Sequence, residues 1–112
     1  MAETIKLVQN DTGPQIQFTL SDESTGDPID LTSATVVMRF REKDSDTTLF
    51  TRTCYIPNAT APQGIAYLVW DEGDLDQTPG LYEGEIEVTF PDTMRQTVYD
   101  IQPFRLRGEF SA

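Results

Sequence analysis

Four acidic residues, Asp71, Glu72, Asp74 and Asp76, lie within six positions and form a dense group of side chains able to ligate a metal. Calcium prefers oxygen ligands such as these when they come from a flexible loop. Their spacing does not match the Asp-x-Asp-x-Asp-Gly pattern of a helix–loop–helix calcium site. The sequence therefore favours a solvated acidic turn at residues 71–76 and leaves calcium binding as the alternative.

A second acidic group, Glu83, Glu85 and Glu87, falls on every other position of one segment. Paired carboxylates hydrolyse glycosides when they flank a cleft and one of them has a raised pKa. Three glutamates on the open face of a strand repel one another and meet neither condition. We expect them to pair across the sheet with a neighbour such as Arg95 or Thr97, or with a basic patch on a partner.

Nucleophiles are scarce in these 112 residues, which include one cysteine, Cys54, and no histidine. Without histidine there is no Ser-His-Asp or Cys-His catalysis and no histidine metal site. The two lysines, Lys6 and Lys43, are not expected to lie in an apolar setting that would activate an amine nucleophile. Cys54 is predicted to be a small apolar residue in a strand. We expect no catalytic residue, no cofactor and no metal, and hence no enzyme.

The formal net charge is −11, from 19 acidic and 8 basic residues. Such a charge disfavours nucleic acid and anionic membranes as partners, favours solubility, and allows a basic or metal-ion partner. Seven of the basic residues fall into two groups in the sequence. They are Arg39, Arg41, Lys43 and Arg52 in the first group and Arg95, Arg105 and Arg107 in the second. For each of these residues taken alone the sequence favours a solvated surface of mixed charge; the alternative is that the two groups form basic strand faces that pair with complementary patches on neighbouring subunits.

Neither a secretion signal nor a membrane span is expected. The first residues, MAETIK, lack a charged segment followed by an apolar run. No apolar stretch approaches the ~18 residues that a membrane-spanning helix needs. We therefore expect a protein that is made and used in soluble form, or one that is released without a Sec signal.

Residues 75–90 are the best-specified element. After the breaker pair Pro79-Gly80, apolar and acidic residues alternate strictly up to Phe90. A period of two indicates a strand with one buried and one solvated face. The turn residues 91–93 then lead into a return strand, which predicts a hairpin. Tyr82 stands where a tyrosine corner would hydrogen-bond backwards to the main chain.

The rest of the chain shows similar short alternating segments separated by turn residues. They are residues 4–8, 15–20, 34–41, 47–56, 65–70, 94–99 and 104–110. Residues 47–56 are predicted to be an edge strand, residues 71–77 a single helical turn, and Pro103 an interruption. The pattern predicts one domain over residues 1–112, an all-β, immunoglobulin-like antiparallel sandwich of seven to eight strands with Greek-key connections.

Five segments, in order, carry a resemblance to a known family. They are residues 10–14 (NDTGP), 16–20 (IQFTL), 26–36 (GDPIDLTSATV), 64–67 (GIAY) and 78–92 (TPGLYEGEIEVTFPD), with Trp70 between the last two. Together they resemble the immunoglobulin-like domain at the N-terminus of baseplate upper proteins of tailed phages, and related phage and prophage structural proteins. The resemblance covers nearly the whole chain.

The resemblance implies a structural role in the virion, made in the bacterial host cytoplasm, without enzymatic activity. In the family this domain docks on a tail or baseplate hub and is followed by a receptor-binding or linker region. This sequence ends at Ala112, so we expect a free-standing docking module of the baseplate, tail or neck. Its expected partners are other phage structural proteins, with several copies in the virion. A capsid decoration protein on the phage head is the alternative.

Two readings from other classes remain open at this point. A carbohydrate-binding module would need exposed aromatic side chains on one face, and the candidates are Tyr55, Tyr67, Trp70 and Tyr99. A calcium-dependent adhesion domain would bind the ion at residues 71–76. The burial of the aromatic residues and the setting of the acidic turn separate these readings from a docking module.

Overall fold

The computed structural model describes residues 3–22, 24–98 and 101–110. Within these ranges the chain forms eight strands and one 3₁₀ turn at Ala61–Gln63. The strands are β1 (Ile5–Val8), β2 (Ile16–Thr19), β3 (Thr35–Glu42), β4 (Phe50–Thr53), β5 (Ile65–Leu68), β6 (Gly80–Thr89), β7 (Arg95–Thr97) and β8 (Gln102–Arg107). The prediction of an all-β protein is confirmed. None of the helical segments in these ranges has the length and hydropathy of a membrane span.

The strands form two sheets. The larger follows the order β1-β8-β6-β3-β4, with β7 also pairing with β6, and the smaller contains β2 and β5. Strand β4 lies at the end of its sheet, as predicted for residues 47–56. Every pair between these strands is antiparallel except β1 and β8, which run parallel, a difference from the expected antiparallel sandwich. A parallel pair needs a long connection, and here almost the whole domain supplies it. The immunoglobulin-like Greek-key connectivity stays a prediction.

Alternate residues of both sheets fill the space between them. The ring of Phe40 is central, with ring centroids 4.9 Å from Phe50, 5.0 Å from Tyr82, 5.4 Å from Phe104 and 5.5 Å from Trp70. Each large apolar side chain that is fully buried contributes roughly 1.5–3 kcal/mol through removal from water. This aromatic cluster fixes the packing beneath the outer face of the larger sheet.

Two glycines permit close approaches that a side chain would prevent. Gly64 follows the 3₁₀ turn with φ 75°, and a Cβ there would lie 2.3 Å from the main-chain oxygen of Leu20. Gly84 lies in the middle of β6, where a Cβ would be 2.7 Å from Met38 Sδ and 2.9 Å from Phe104 Cε2. The aromatic cluster therefore occupies the volume that Gly84 leaves empty.

Two local expectations differ from the structure. Pro103 lies inside β8 rather than interrupting it. It pairs with Glu83 of β6, while β1 begins opposite the next residue, Phe104, so no β1 residue faces the position that lacks an N–H. Residues 71–77 form successive turns instead of a helical turn, with N–H groups of Asp74 and Asp76 donating to residues three positions earlier.

Candidate docking surface

The outer face of the larger sheet carries a row of opposite charges on β3 and β6. Strict alternation turns Arg39 and Arg41 outward from β3 and the three glutamates outward from β6. The register places Arg39 opposite Glu85 and Arg41 opposite Glu83. Salt-bridge distances are 3.2 Å for Arg41–Glu83, 3.3 Å for Arg39–Glu87 and 3.9 Å for Arg39–Glu85. We call these five side chains the charge ladder.

The charge ladder explains the role of the three glutamates of β6. The sequence pointed to Arg95 or Thr97 as partners; Thr97 does lie opposite Glu87, but the ionic partners are on β3 and not on β7. Exposed ion pairs of this kind are each worth at most about 1 kcal/mol. The ladder therefore neutralises the repulsion among the glutamates and contributes to the β3–β6 pairing, with no group arranged for acid–base work.

Next to the ladder, one row of residues across β1, β8, the start of β6 and the position after β3 lines an open groove of about 520 Å³. In this row Lys6 of β1 lies opposite Arg105 of β8, and Arg105 lies opposite Leu81 of β6. The main-chain N–H of Lys43, just after β3, donates to the oxygen of Leu81 at 3.0 Å. Cationic side chains thus bracket an apolar centre.

The floor of the groove is apolar and accessible. Leu81 is 43% exposed and Ile101 is 38% exposed, and Pro103 lies between them on the outward side of β8. We call the surface formed by Lys6, Lys43, Leu81, Ile101, Pro103 and Arg105 the basic groove. It combines positive charge with exposed apolar area on a chain whose net charge is −11.

The edges of the sheets offer further contact surface. The larger sheet ends at β1 on one side and at β4 on the other. Within the described residues no strand pairs with the outer edge of β1 or with that of β4 at Phe50–Thr53, whereas Tyr55, just after β4, bridges Tyr67 of β5. Leu49 and Tyr55, which flank β4, are both exposed. Unpaired main-chain groups at such edges are ready templates for pairing with another chain.

The acidic turn at residues 71–76 is attached to β4 by an ion pair between Asp74 and Arg52. Arg52 Nε donates to Asp74 Oδ2 at 2.7 Å, its Nη2 donates to Asp74 Oδ1, and the Asp71 N–H donates to Asp74 Oδ2 at 2.8 Å. The same bonds raise the pKa of Arg52, an effect strengthened by the negative charges of Asp74 and Asp71 and opposed by burial. Both oxygens of Asp74 are thus occupied, and no three acidic or cysteine side chains in the described ranges are arranged to hold a metal.

Of the three aromatic candidates for sugar binding that the structure describes, one is buried and the other two differ in exposure. Trp70 is buried, and its indole N–H donates to the oxygen of Pro14 at 3.0 Å. Tyr55 is 66% exposed, and Tyr67, which pairs with it through two main-chain bonds, is half-buried. Tyr99 lies outside the described residues. The observed pair is a local edge contact and gives the carbohydrate reading no platform.

Two further predicted residues take structural positions. The hydroxyl of Tyr82 donates to the main-chain oxygen of Thr78, four residues back, as the tyrosine corner predicted. Cys54 is buried at the end of β4, and burial raises the pKa of its thiol to about 11. A thiol in this state is neutral near pH 7 and is not a nucleophile.

The basic groove is the feature that sequence reasoning missed. The linear grouping joined Lys43 to Arg39, Arg41 and Arg52, although the structure assigns those three arginines to ion pairs. The alternation around Phe104 was a usable signal, because it turns Arg105 outward. Which other residues share that row was not readable without the strand order.

Comparison with known proteins adds no relative. No protein-family model matches the chain, and no curated protein matches it. The features of the chain that bear on its function are therefore the basic groove, the charge ladder and the sequence segments that resemble the phage domain.

Proposed function

We propose that this chain is a structural subunit of a tailed-bacteriophage virion, which acts as a protein-docking module of the baseplate, tail or neck. The observation that carries the proposal is the basic groove beside the charge ladder, on a sheet with open edges. Exposed apolar side chains ringed by charge, on a rigid sheet, are typical of a surface that receives another protein.

The sequence segments that resemble the phage domain support the same proposal. Two of them correspond to defined features: residues 16–20 include β2, and residues 78–92 contain the tyrosine corner, β6 and the turn after it. We further propose the immunoglobulin-like connectivity. It is supported by the Tyr82–Thr78 bond, which has the form of the tyrosine corner of such domains.

On this proposal the partners are other virion subunits, present with the chain in several copies. The net charge of −11 keeps the acidic outer surface soluble before assembly and repels nucleic acid and anionic lipid. Binding is then confined to the basic groove and the sheet edges. Neither nucleic acid nor membrane is a partner, and the protein ends in the virion after synthesis in the host cytoplasm.

The test is to locate the chain in intact particles of the phage or prophage that encodes it. Particles carrying an epitope-tagged copy are purified on a density gradient and labelled with gold-conjugated antibody for electron microscopy. We expect gold at the baseplate, tail or neck, at a constant number per particle. Label distributed over the head would establish the decoration-protein alternative, and particles without the chain would overturn a virion role.

The absence of hydrolase activity is proposed as well and has its own test. The purified chain is incubated with polysaccharide and peptide substrates, and Glu83→Gln and Glu85→Gln variants are measured beside Glu72→Gln, which lies outside the ladder. We expect no turnover by any of the four proteins. Turnover that is lost in the ladder variants and kept in Glu72→Gln would contradict the proposal.

A further inference from the structure

We propose that the basic groove binds an acidic, extended segment of a different subunit, in which two carboxylate residues flank an aliphatic residue at the spacing Glu-x-Leu-x-Glu. The inference rests on the proposed docking function and specifies the partner's chemistry. It follows from the composition, the geometry and the charge balance of the row formed by Lys6, Arg105, Leu81 and Lys43.

The charge of the groove sets the sign of the partner. Lys6, Lys43 and Arg105 line it together with one acid, Glu83, which is already paired with Arg41 at 3.2 Å. Within the described ranges, neither Lys43 nor Arg105 forms an ion pair of its own. The groove is therefore a positive region on an acidic protein, and carboxylates are the groups that complement it.

The geometry of the row sets the spacing. From β1 through β8 and β6 to the end of β3 there are three strand-to-strand steps, or about 14 Å at roughly 4.8 Å each. An extended chain advances about 3.3 Å per residue, so residues i and i+4 are about 13 Å apart. Side chains at i, i+2 and i+4 point the same way. Carboxylates at i and i+4 then reach Lys6 and Lys43, and the residue at i+2 lies midway along the row, between Arg105 and Leu81.

The apolar centre sets the middle residue. Leu81 and Ile101 are large and more than a third exposed, and Pro103 adjoins them. An aliphatic side chain laid over these residues removes apolar surface from water on both partners. A polar residue at this position would forgo that gain while its neighbours remain in contact with the cations.

A second copy of this chain fits the groove poorly. A two-fold contact brings the same patch of each copy together, which would set Lys6, Lys43 and Arg105 against their own counterparts. At longer range, two chains of net charge −11 repel one another. A different subunit that carries the acidic segment meets neither obstacle.

The experiment titrates the ¹⁵N-labelled chain with the acetylated, amidated peptide Ser-Glu-Ser-Leu-Ser-Glu-Ser and follows amide chemical shifts by NMR. Two peptides serve as controls: Ser-Ser-Glu-Glu-Leu-Ser-Ser, which has the same composition, and Ser-Gln-Ser-Leu-Ser-Gln-Ser. We expect saturable shifts centred on Lys6, Leu81, Lys43 and Arg105. Affinity for each control peptide should fall on the order of fivefold to tenfold, because each loses one or both exposed ion pairs.

Protein variants separate the groove from general charge attraction. The double variant Lys6→Glu/Arg105→Glu should abolish the shifts, and raised salt should weaken binding to the wild type. Arg95→Glu makes a charge reversal of the same kind on exposed β7, outside the groove, and should bind as the wild type does. Circular dichroism establishes that each variant is folded.

Several outcomes would overturn the inference. The first is equal affinity for Ser-Glu-Ser-Leu-Ser-Glu-Ser and for its control of the same composition. The others are chemical-shift changes centred away from the groove, and no chemical-shift changes at millimolar peptide. Sedimentation showing self-association that Lys6→Glu/Arg105→Glu removes would assign the groove to a second copy instead. Failure of the peptide to bind, with the chain still present in particles, would reject this partner and leave the docking function standing.

Discussion

The ion pair between Arg52 and Asp74 leads to an asymmetric prediction about stability. The Asp74 side chain is only 5% exposed, whereas that of Arg52 is 27% exposed. Replacing Arg52 by methionine keeps an unbranched apolar stem but leaves a buried carboxylate with the Asp71 N–H as its remaining donor. Replacing Asp74 by asparagine removes a charge but keeps an oxygen acceptor, and the freed guanidinium can reach water.

The two substitutions should therefore cost different amounts. Removing one member of a buried ion pair costs about 3–5 kcal/mol, and we expect Arg52→Met to fall near 3 kcal/mol because the pair lies at a sheet edge. A hydrogen bond to a charged group is worth about 1.5–3 kcal/mol, and partial retention in Asp74→Asn lowers its cost to about 1–1.5 kcal/mol. The more exposed partner is thus predicted to be the more costly one to remove.

The assay is equilibrium unfolding in urea, followed by the fluorescence of the single tryptophan, Trp70, which is buried in the fold. Arg95→Met, on exposed β7, should change stability by less than about 0.5 kcal/mol. A cost for Asp74→Asn equal to or above that of Arg52→Met would refute the reasoning.

Three further predictions concern the core and its thiol. Tyr82→Phe should lower the free energy of unfolding by about 1–2 kcal/mol in urea titrations, because the oxygen of Thr78 loses its donor; an unchanged midpoint would contradict a structural role for this bond. Gly84→Ala should lower the free energy of unfolding by about 1–3 kcal/mol, because the added methyl group crowds Phe104. An unchanged free energy of unfolding would contradict this close packing. Burial raises the pKa of Cys54 from its ordinary value of 9.0 to about 11, so the fold favours the protonated thiol. The contribution of Cys54 to the free energy of unfolding should be constant below pH 9 and should then fall by about 2–3 kcal/mol as the pH rises to about 11. Cys54→Ala should lose this part of the pH dependence, and an identical slope in both proteins would refute it.

Much of the fold was readable from local patterns. The alternation in residues 34–41 correctly turned Val36, Met38 and Phe40 inward, and that in residues 75–90 turned the glutamates outward. Such predictions succeed because period two reports directly whether each side of a strand meets water or the core. The tyrosine corner was readable for a similar reason, since both of its groups lie within five residues of one another.

The candidate surface was not readable in the same way. Arg39 meets Glu87 across 48 residues, and Arg52 meets Asp74 across 22. The sequence alone favoured a solvated acidic turn at residues 71–76, yet Asp74 is buried there by its bond to β4. Burial of a single polar residue depends on which element packs against it, and no local period encodes that.

Periodicity was enough to establish that the chain is all-β and that its strands have one solvated face. Composition was enough to exclude histidine-based chemistry. Tertiary structure alone decided that β3 adjoins β6 and that β1 and β8 complete the row containing Lys6, Lys43, Leu81 and Arg105. The physical reason is that periodicity fixes the face on which a side chain lies, whereas its neighbours on that face are fixed by strand order and register. The residues of the basic groove come from four separate segments, in or next to β1, β8, β6 and β3, so the groove forms only when those strands have paired.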